Sequence, residues 1–135
     1  MINYSWQDIE SLNKKLSKKI KIKPNIIIGI LRGGSIPARL LAKSLEVKQM
    51  YSLTIRKDNG ERSVRTEILD DIKNKKILLV EDVLESGRSL IIGKKYLENK
   101  LAIVKTASYF ILSHSEVIPD FYIGKINKKP IFPWD

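Results

Sequence analysis

Apolar residues recur at helical spacing in the first part of the chain, with lysine and serine on the opposite face. The recurring positions are Trp6, Ile9, Leu12, Leu16 and Ile20. Ser5 and Asp8, three residues apart, have the form of a capping box that starts a helix. Pro24 and Asn25 do not continue one. The pattern therefore predicts an amphipathic opening helix that ends before Pro24.

Later apolar runs have strand length, and the runs 26–31 and 77–80 show no alternation of apolar and polar positions. An apolar run rich in branched residues and without alternation is typical of a strand buried on both faces. The predicted strands are 26–31, 47–55, 77–80, 101–112 and 121–126, and two further helices are predicted at about 37–46 and 89–99. Strands that alternate with helices indicate an α/β fold with a mainly parallel, doubly wound sheet. Ligands of such sheets bind beyond the carboxyl ends of the strands.

The segment 56–65 differs from its neighbours because it is polar, charged and contains glycine. This composition predicts a mobile loop that packs against no core.

Two adjacent carboxylates, Glu81 and Asp82, follow the predicted strand 77–80, and a Ser-Gly turn then opens a helix. Backbone N–H groups at such a helix start can bind phosphate, and Gly87 permits close approach of the backbone. Carboxylates beside a phosphate suit the hydroxyls of a ribose or a Mg²⁺ ion. Together these features indicate a sugar-phosphate site, although an ordinary strand-to-helix turn would have a similar local sequence.

A second loop, Arg32-Gly33-Gly34, follows the first predicted strand. A guanidinium and the exposed amides of two glycines are suited to holding a diphosphate. A flexible turn with a solvated arginine is the alternative.

The order of residues in 77–90 resembles the phosphoribosylpyrophosphate-binding motif of type I phosphoribosyltransferases: three apolar residues, two acids, two apolar residues, an acid, then Ser-Gly-x-Ser. By this resemblance, Glu81 and Asp82 contact the ribose hydroxyls and the metal. The 5-phosphate is held by Ser86, Gly87, Arg88 and Ser89, and Glu85 is the general base for the nucleobase proton. The loop Arg32-Gly33-Gly34 resembles the family's pyrophosphate loop, whose preceding peptide is often cis. The segment from Tyr51 to Arg65 has the place of the family's flexible hood, whose candidate contacts to pyrophosphate are Arg56, Lys57, Arg62 and Arg65.

Within the family, the chain is similar to the small 6-oxopurine enzymes that use hypoxanthine, guanine or xanthine. Two base contacts of those enzymes are absent. Where they carry a lysine, this chain has Leu112, Ser113 and His114. The position of their base-stacking tryptophan corresponds to about Lys129 or Pro130 in this chain. The candidate base pocket is Tyr122, Ile123 and Phe132, while Trp134 is interpreted as a structural anchor.

Composition and net charge limit the compartment and the partners that the chain can have. The chain has 135 residues, no cysteine and a net charge of +10, which suits one cytoplasmic domain without disulfides or thiolate metal sites. No apolar run is long enough to cross a membrane. The charge favours anionic partners, yet most of it comes from lysine and specific nucleic-acid recognition is disfavoured. The resemblance implies a homodimer.

We therefore expect a single domain, 1–135, that uses Mg²⁺ to transfer phosphoribosyl from phosphoribosylpyrophosphate to a nucleobase, preferably a purine. The alternative is a regulator that binds phosphoribosylpyrophosphate and nucleic acid without transferase activity. A dinucleotide-binding fold is disfavoured because no Gly-x-Gly-x-x-Gly follows the first strand.

Overall fold

The computed structural model describes residues 2–135 of the chain. Its elements in chain order are α1 (Trp6–Lys19), β1 (Ile26–Leu31), α2 (Ser35–Ser44), β2 (Gln49–Asp58), β3 (Glu61–Val64), β4 (Lys76–Val80), β5 (Val83–Leu84), α3 (Arg88–Asn99), β6 (Ile103–Ala107), β7 (Phe110–Leu112) and β8 (Gly124–Ile126). They form a five-stranded sheet in the order β3-β2-β1-β4-β6 and a three-stranded sheet in the order β5-β7-β8.

The larger sheet is parallel except for β3. Strand β1 pairs in parallel with β2 and with β4, and β4 pairs in parallel with β6. Successive side chains of a strand point to opposite faces, so Ile27 packs with α1 and α2 on one face, whereas Ile26 and Ile28 pack with α3 on the other. Helices therefore cover both faces, and the predicted doubly wound α/β arrangement is confirmed.

Helix α1 begins at the predicted capping box. The Asp8 amide donates to Ser5 Oγ at 3.1 Å and the Ser5 amide donates to Asp8 Oδ2 at 2.8 Å. The helix ends at Lys19, so Ile20 is buried just beyond it as the cap residue. Trp6 lies at the start of the helix but is 57% exposed, so it is not part of the buried face.

The segment 56–65, predicted to be a loop that packs against no core, instead lies in a hairpin. Strands β2 and β3 form an antiparallel hairpin in which Ile55 pairs with Val64. Both of these side chains pack against the core on the α3 side of the sheet. The turn is Asn59-Gly60, and both residues have positive φ values of 50° and 83°, which is the conformation that a tight hairpin turn requires.

The single strand predicted at 101–112 is divided into two. At Ser108 and Tyr109 the chain leaves the larger sheet: the Ser108 amide donates to the Phe121 carbonyl and the Tyr109 amide donates to the Asp82 carbonyl. Strand β7 then pairs with β5 in the smaller sheet. The break carries the chain from one sheet to the other beside Asp82.

Within residues 2–135, no helix combines the length and the apolar character needed to cross a membrane.

Candidate active site

The predicted loops after β1 and β4 meet at one edge of the larger sheet. The two strands are adjacent and parallel, with Gly29 opposite Val80, so their carboxyl ends point the same way. A cavity of about 440 Å³ lies there. Its lining residues are Arg32, Gly33, Glu81, Asp82, Val83, Glu85, Ser89, Lys129, Trp134 and Asp135.

The acid pair is held in place by backbone hydrogen bonds. The Glu81 amide donates to the Ala107 carbonyl at 3.0 Å, and the Asp82 carbonyl accepts from the Tyr109 amide at 3.0 Å. The end of β4 is thus tied to the chain where it passes between the two sheets. Both side chains line the cavity, where the resemblance places a ribose and a metal.

Asp82 is 7% exposed, and each of its carboxylate oxygens accepts a hydrogen bond. Oδ1 accepts from the Val83 amide at 2.7 Å and Oδ2 accepts from the Trp134 indole N–H at 3.0 Å. Burial raises the pKa of Asp82, while the hydrogen bonds from Trp134 and Val83 lower it. The two donors therefore favour the ionised form that a cation or a hydroxyl would meet.

Glu81 lies in a less favourable environment for ionisation. Burial raises its pKa to about 8, and the neighbouring charges of Asp82 and Glu85 add to the shift. Lys129 and Arg62 act in the opposite direction. At neutral pH, Glu81 in the free protein is thus mainly protonated and can donate or accept a hydrogen bond, and a bound cation would favour its ionisation.

The loop after β1 lies against the acid pair. A Cβ atom on Gly33 would lie 2.5 Å from Asp82 Oδ2, and one on Gly34 would lie 2.2 Å from the Val80 carbonyl oxygen. Only glycine allows the loop to approach this closely. The peptide between Leu31 and Arg32 is cis. Arg32 and Gly33 line the cavity, as expected for a loop that contacts a ligand there, and Gly34 is the cap residue of α2.

The turn Ser86-Gly87-Arg88-Ser89 leads into α3. Gly87 is the cap residue, with a φ value of 84°, and a Cβ atom there would lie 2.5 Å from Val117. Ser89 lines the cavity, whereas Arg88 forms an exposed ion pair with Glu116 at 3.5 Å. The structure thus brings the helix start and Ser89 to the cavity, and directs the Arg88 side chain elsewhere.

Glu85, the predicted general base, is also in the cavity wall. Its carboxylate oxygen lies 3.7 Å from the ammonium nitrogen of Lys129. The two side chains are 59% and 49% exposed, so both can reach a ligand.

None of the three residues predicted for the base pocket lines this cavity. Phe132 is 1% exposed and stacks between Tyr4 and Trp134 in the core, so it is not available to a ligand. Tyr122 and Ile123 pack against the core on opposite sides of the sheet and do not line the cavity. Four residues that were given no site role line it instead: Val83, Lys129, Trp134 and Asp135. The one sequence signal for Lys129 was its alignment with the family's stacking tryptophan.

The hairpin lies beside α3, close to the cavity. Gly60 and Arg62 of the hairpin share a cleft of about 270 Å³ with Arg88, Ile91 and Ile92. Arg65 is paired with Asp58 of the same hairpin. Of the four cations predicted in this segment, Arg62 is the one whose charge acts on Glu81.

Comparison with known proteins identifies the family and the fold of the chain. The family model described as phosphoribosyl transferase domain matches residues 2–135. The chain is 25% identical over 138 residues to the xanthine-guanine phosphoribosyltransferase of Desulfotalea psychrophila, covering 97% of this chain and 84% of that protein. It is 27% identical over 124 residues to the hypoxanthine-guanine phosphoribosyltransferase of Lactococcus lactis, covering 83% and 67%.

Among solved structures, the purine phosphoribosyltransferase of Pyrococcus horikoshii superimposes with a TM-score of 0.92 at 26% identity. The match covers 99% of this chain and 93% of that chain. The type I phosphoribosyltransferase fold is therefore confirmed.

Proposed function

Since the chain belongs to the phosphoribosyl transferase domain family, we propose that it transfers the phosphoribosyl group of phosphoribosylpyrophosphate to a nucleobase and releases pyrophosphate. The observation that carries this proposal is the convergence of three predicted elements on one cavity. They are the acid pair after β4, the glycine loop after β1 and the start of α3. Each is suited to a different part of the same sugar phosphate.

The acid pair fits a Mg²⁺ ion that is held jointly with the substrate. Among residues 2–135 no cluster of three or more His, Asp or Glu side chains could bind a metal by itself. Mg²⁺ commonly binds through one or two carboxylates together with substrate oxygens and water. Glu81 and Asp82 would hold it through ribose hydroxyls or water, and the ion would supply charge stabilisation to the departing pyrophosphate.

The chain's own groups position the reactants. Arg32 and the amide of Gly33 hold the pyrophosphate, and Asp82 holds the ribose hydroxyls. The Gly34 amide, which was predicted to share in this contact, instead donates to the Ile30 carbonyl at 2.8 Å. The start of α3 with Ser89 holds the 5-phosphate through its N–H groups. In the transfer, the bond between ribose C1 and the pyrophosphate oxygen breaks and its electron pair leaves with pyrophosphate. A base nitrogen bonds to C1, and the ring passes a proton to the Glu85 carboxylate.

A purine with a 6-oxo group suits the pair formed by Glu85 and Lys129. Such a purine presents N7 and the 6-oxygen on one edge. The carboxylate of Glu85 can accept a proton from the ring, while the Lys129 ammonium, which has donors only, can bond the oxygen. Adenine has an amino group in place of that oxygen and would face a second donor. The names of the xanthine-guanine and hypoxanthine-guanine relatives support the same substrate class.

Calorimetric titration tests the proposal at its first step. We expect phosphoribosylpyrophosphate to bind in the presence of Mg²⁺, with a much weaker signal when the metal is removed by a chelator. Asp82→Asn should weaken the binding, whereas Asp120→Asn, on the other side of β6 from the cavity, is not expected to. Absence of binding by the wild type under both conditions would contradict the proposal. Binding without turnover on any base would favour the regulator.

A further inference from the structure

Trp134 contacts the most buried acid of the site through its only polar group. The indole N–H donates to Asp82 Oδ2 at 3.0 Å, although the two residues are 52 positions apart in the chain. The other oxygen is bonded by the Val83 backbone amide. Trp134 is therefore the side chain that completes the hydrogen bonding of this carboxylate.

The indole is itself held by the core. Its ring stacks on Phe132 with a centroid distance of 4.8 Å and an interplanar angle of 11°, and Phe132 is 1% exposed. The turn that carries it is closed by two hydrogen bonds: Phe132 N to Asp135 Oδ2 at 2.9 Å and Asp135 N to Phe132 O at 3.0 Å. Because its support is rigid, Trp134 can fix the direction of the Asp82 carboxylate.

Asp82 needs such a constraint. It shares the cavity wall with three other acids, Glu81, Glu85 and Asp135, and repulsion from the charge of Asp135 favours rotation of the Asp82 carboxylate away from the cavity. Gly33 leaves room for the Asp82 carboxylate only because it lacks a Cβ atom, which would lie 2.5 Å from Oδ2.

We propose that Trp134 is a positioning residue, which holds the Asp82 carboxylate toward the cavity before the sugar phosphate binds. This role rests on the proposed function, because it concerns the binding of phosphoribosylpyrophosphate at the same site. It assigns a function to a residue that the family motif and the sequence patterns leave as a structural anchor.

The hydrogen bond can be tested in the free protein. The chain has two tryptophans, so a ¹H–¹⁵N spectrum should show two indole N–H signals, and Trp6→Phe identifies the one from Trp134. We expect Asp82→Asn to move the Trp134 signal and to leave that of Trp6 nearly in place. A Trp134 signal that does not respond to Asp82→Asn would overturn the proposal.

The consequence for binding is tested with Trp134→Phe, which keeps a ring to stack on Phe132 and removes the donor. The matched control is Trp6→Phe, since Trp6 is 57% exposed and its ring lies 6.0 Å from that of Trp134. Loss of the outer partner of a ligand-binding carboxylate typically weakens affinity about 10- to 100-fold. We expect a loss of this size in phosphoribosylpyrophosphate affinity for Trp134→Phe and none for the control.

Steady-state kinetics distinguish positioning from general support of the fold. Positioning predicts a higher KM for phosphoribosylpyrophosphate with little change in the KM for the nucleobase. Unchanged affinity, or equal loss for both substrates together with a lower thermal midpoint, would overturn it. If the wild-type protein binds no phosphoribosylpyrophosphate, the proposed function itself is contradicted. If the wild type binds it and Trp134→Phe binds it equally well, only the role of Trp134 is contradicted.

Discussion

The ammonium nitrogen of Lys129 lies 3.7 Å from a carboxylate oxygen of Glu85, and both residues line the cavity beside the acid pair. An exposed ion pair of this kind contributes only about 0–1 kcal/mol to stability. The pair can therefore be changed without unfolding the protein. Its donor and its acceptor are instead available to a ligand.

Replacing Lys129 with methionine tests whether this ammonium reads the 6-oxygen of a purine. One well-formed contact to a base edge discriminates between bases by about 1–3 kcal/mol. We expect the ratio of kcat/KM for hypoxanthine over adenine to fall by about tenfold or more. Lys128→Met is the control, because Lys128 is also exposed but does not line the cavity. An unchanged ratio in Lys129→Met would exclude the contact.

Glu81 should make the stability of the free protein depend on pH. Its pKa is raised to about 8 in the folded state from an ordinary value of 4.5. Between these two values the folded state binds more protons than the unfolded state, so this group lowers stability as the pH rises. Its stabilising contribution is complete below the unfolded pKa and is lost as the pH passes through the folded pKa.

We therefore expect Glu81→Gln to raise the free energy of unfolding at pH 8, by up to about 4 kcal/mol, and to change it little at pH 4.5. Urea unfolding at the two pH values, without Mg²⁺ or substrate, makes the comparison. Glu10→Gln, at an exposed position of α1, should show no such difference. Equal effects of the two substitutions at pH 8 would contradict the raised pKa of Glu81.

The same Glu81→Gln protein should be impaired in transfer, because the site loses one carboxylate.

Gly33 tests the close approach of the glycine loop to the acid pair. In Gly33→Ala the new methyl group would lie 2.5 Å from Asp82 Oδ2, so either the loop or the carboxylate must move. Displacement of a reacting group by about 1 Å can reduce the rate about 100-fold, and we expect a fall in kcat/KM of that order. Gly124→Ala has open space around its new methyl group and should retain activity. Equal activity of the two variants would show that the contact is unimportant.

The fold was predicted well from sequence where local patterns determine it. Continuous apolar runs identified β1 and β4, and the residues after them identified the loops that meet at the cavity. The resemblance to type I phosphoribosyltransferases, drawn from residues 77–90 and the loop at Arg32, is confirmed by the family match. These signals succeed because burial on both faces of a strand and glycine at a close approach are properties of a few adjacent residues.

The hairpin was missed although Asp58-Asn59-Gly60 contains a strong turn signal. Its charged residues suggested a loop, but Ile55 and Val64 are paired across the two strands and pack against the core. The three residues assigned to the base pocket do not line the cavity, for a different reason. Trp134 reaches Asp82 across 52 positions, and Phe132 is buried by aromatic rings from distant segments. Contacts of this range depend on how the two sheets meet, which no local pattern reveals.

The most direct test of the central claim is pyrophosphate release from phosphoribosylpyrophosphate and Mg²⁺ with hypoxanthine, guanine, xanthine, adenine, uracil and orotate in parallel. We expect turnover with one or more 6-oxopurines, and a loss of at least about 100-fold in Asp82→Asn. Turnover that is unaffected by Asp82→Asn, or no pyrophosphate release with any base although phosphoribosylpyrophosphate binds, would contradict the assignment of this cavity as a transferase site.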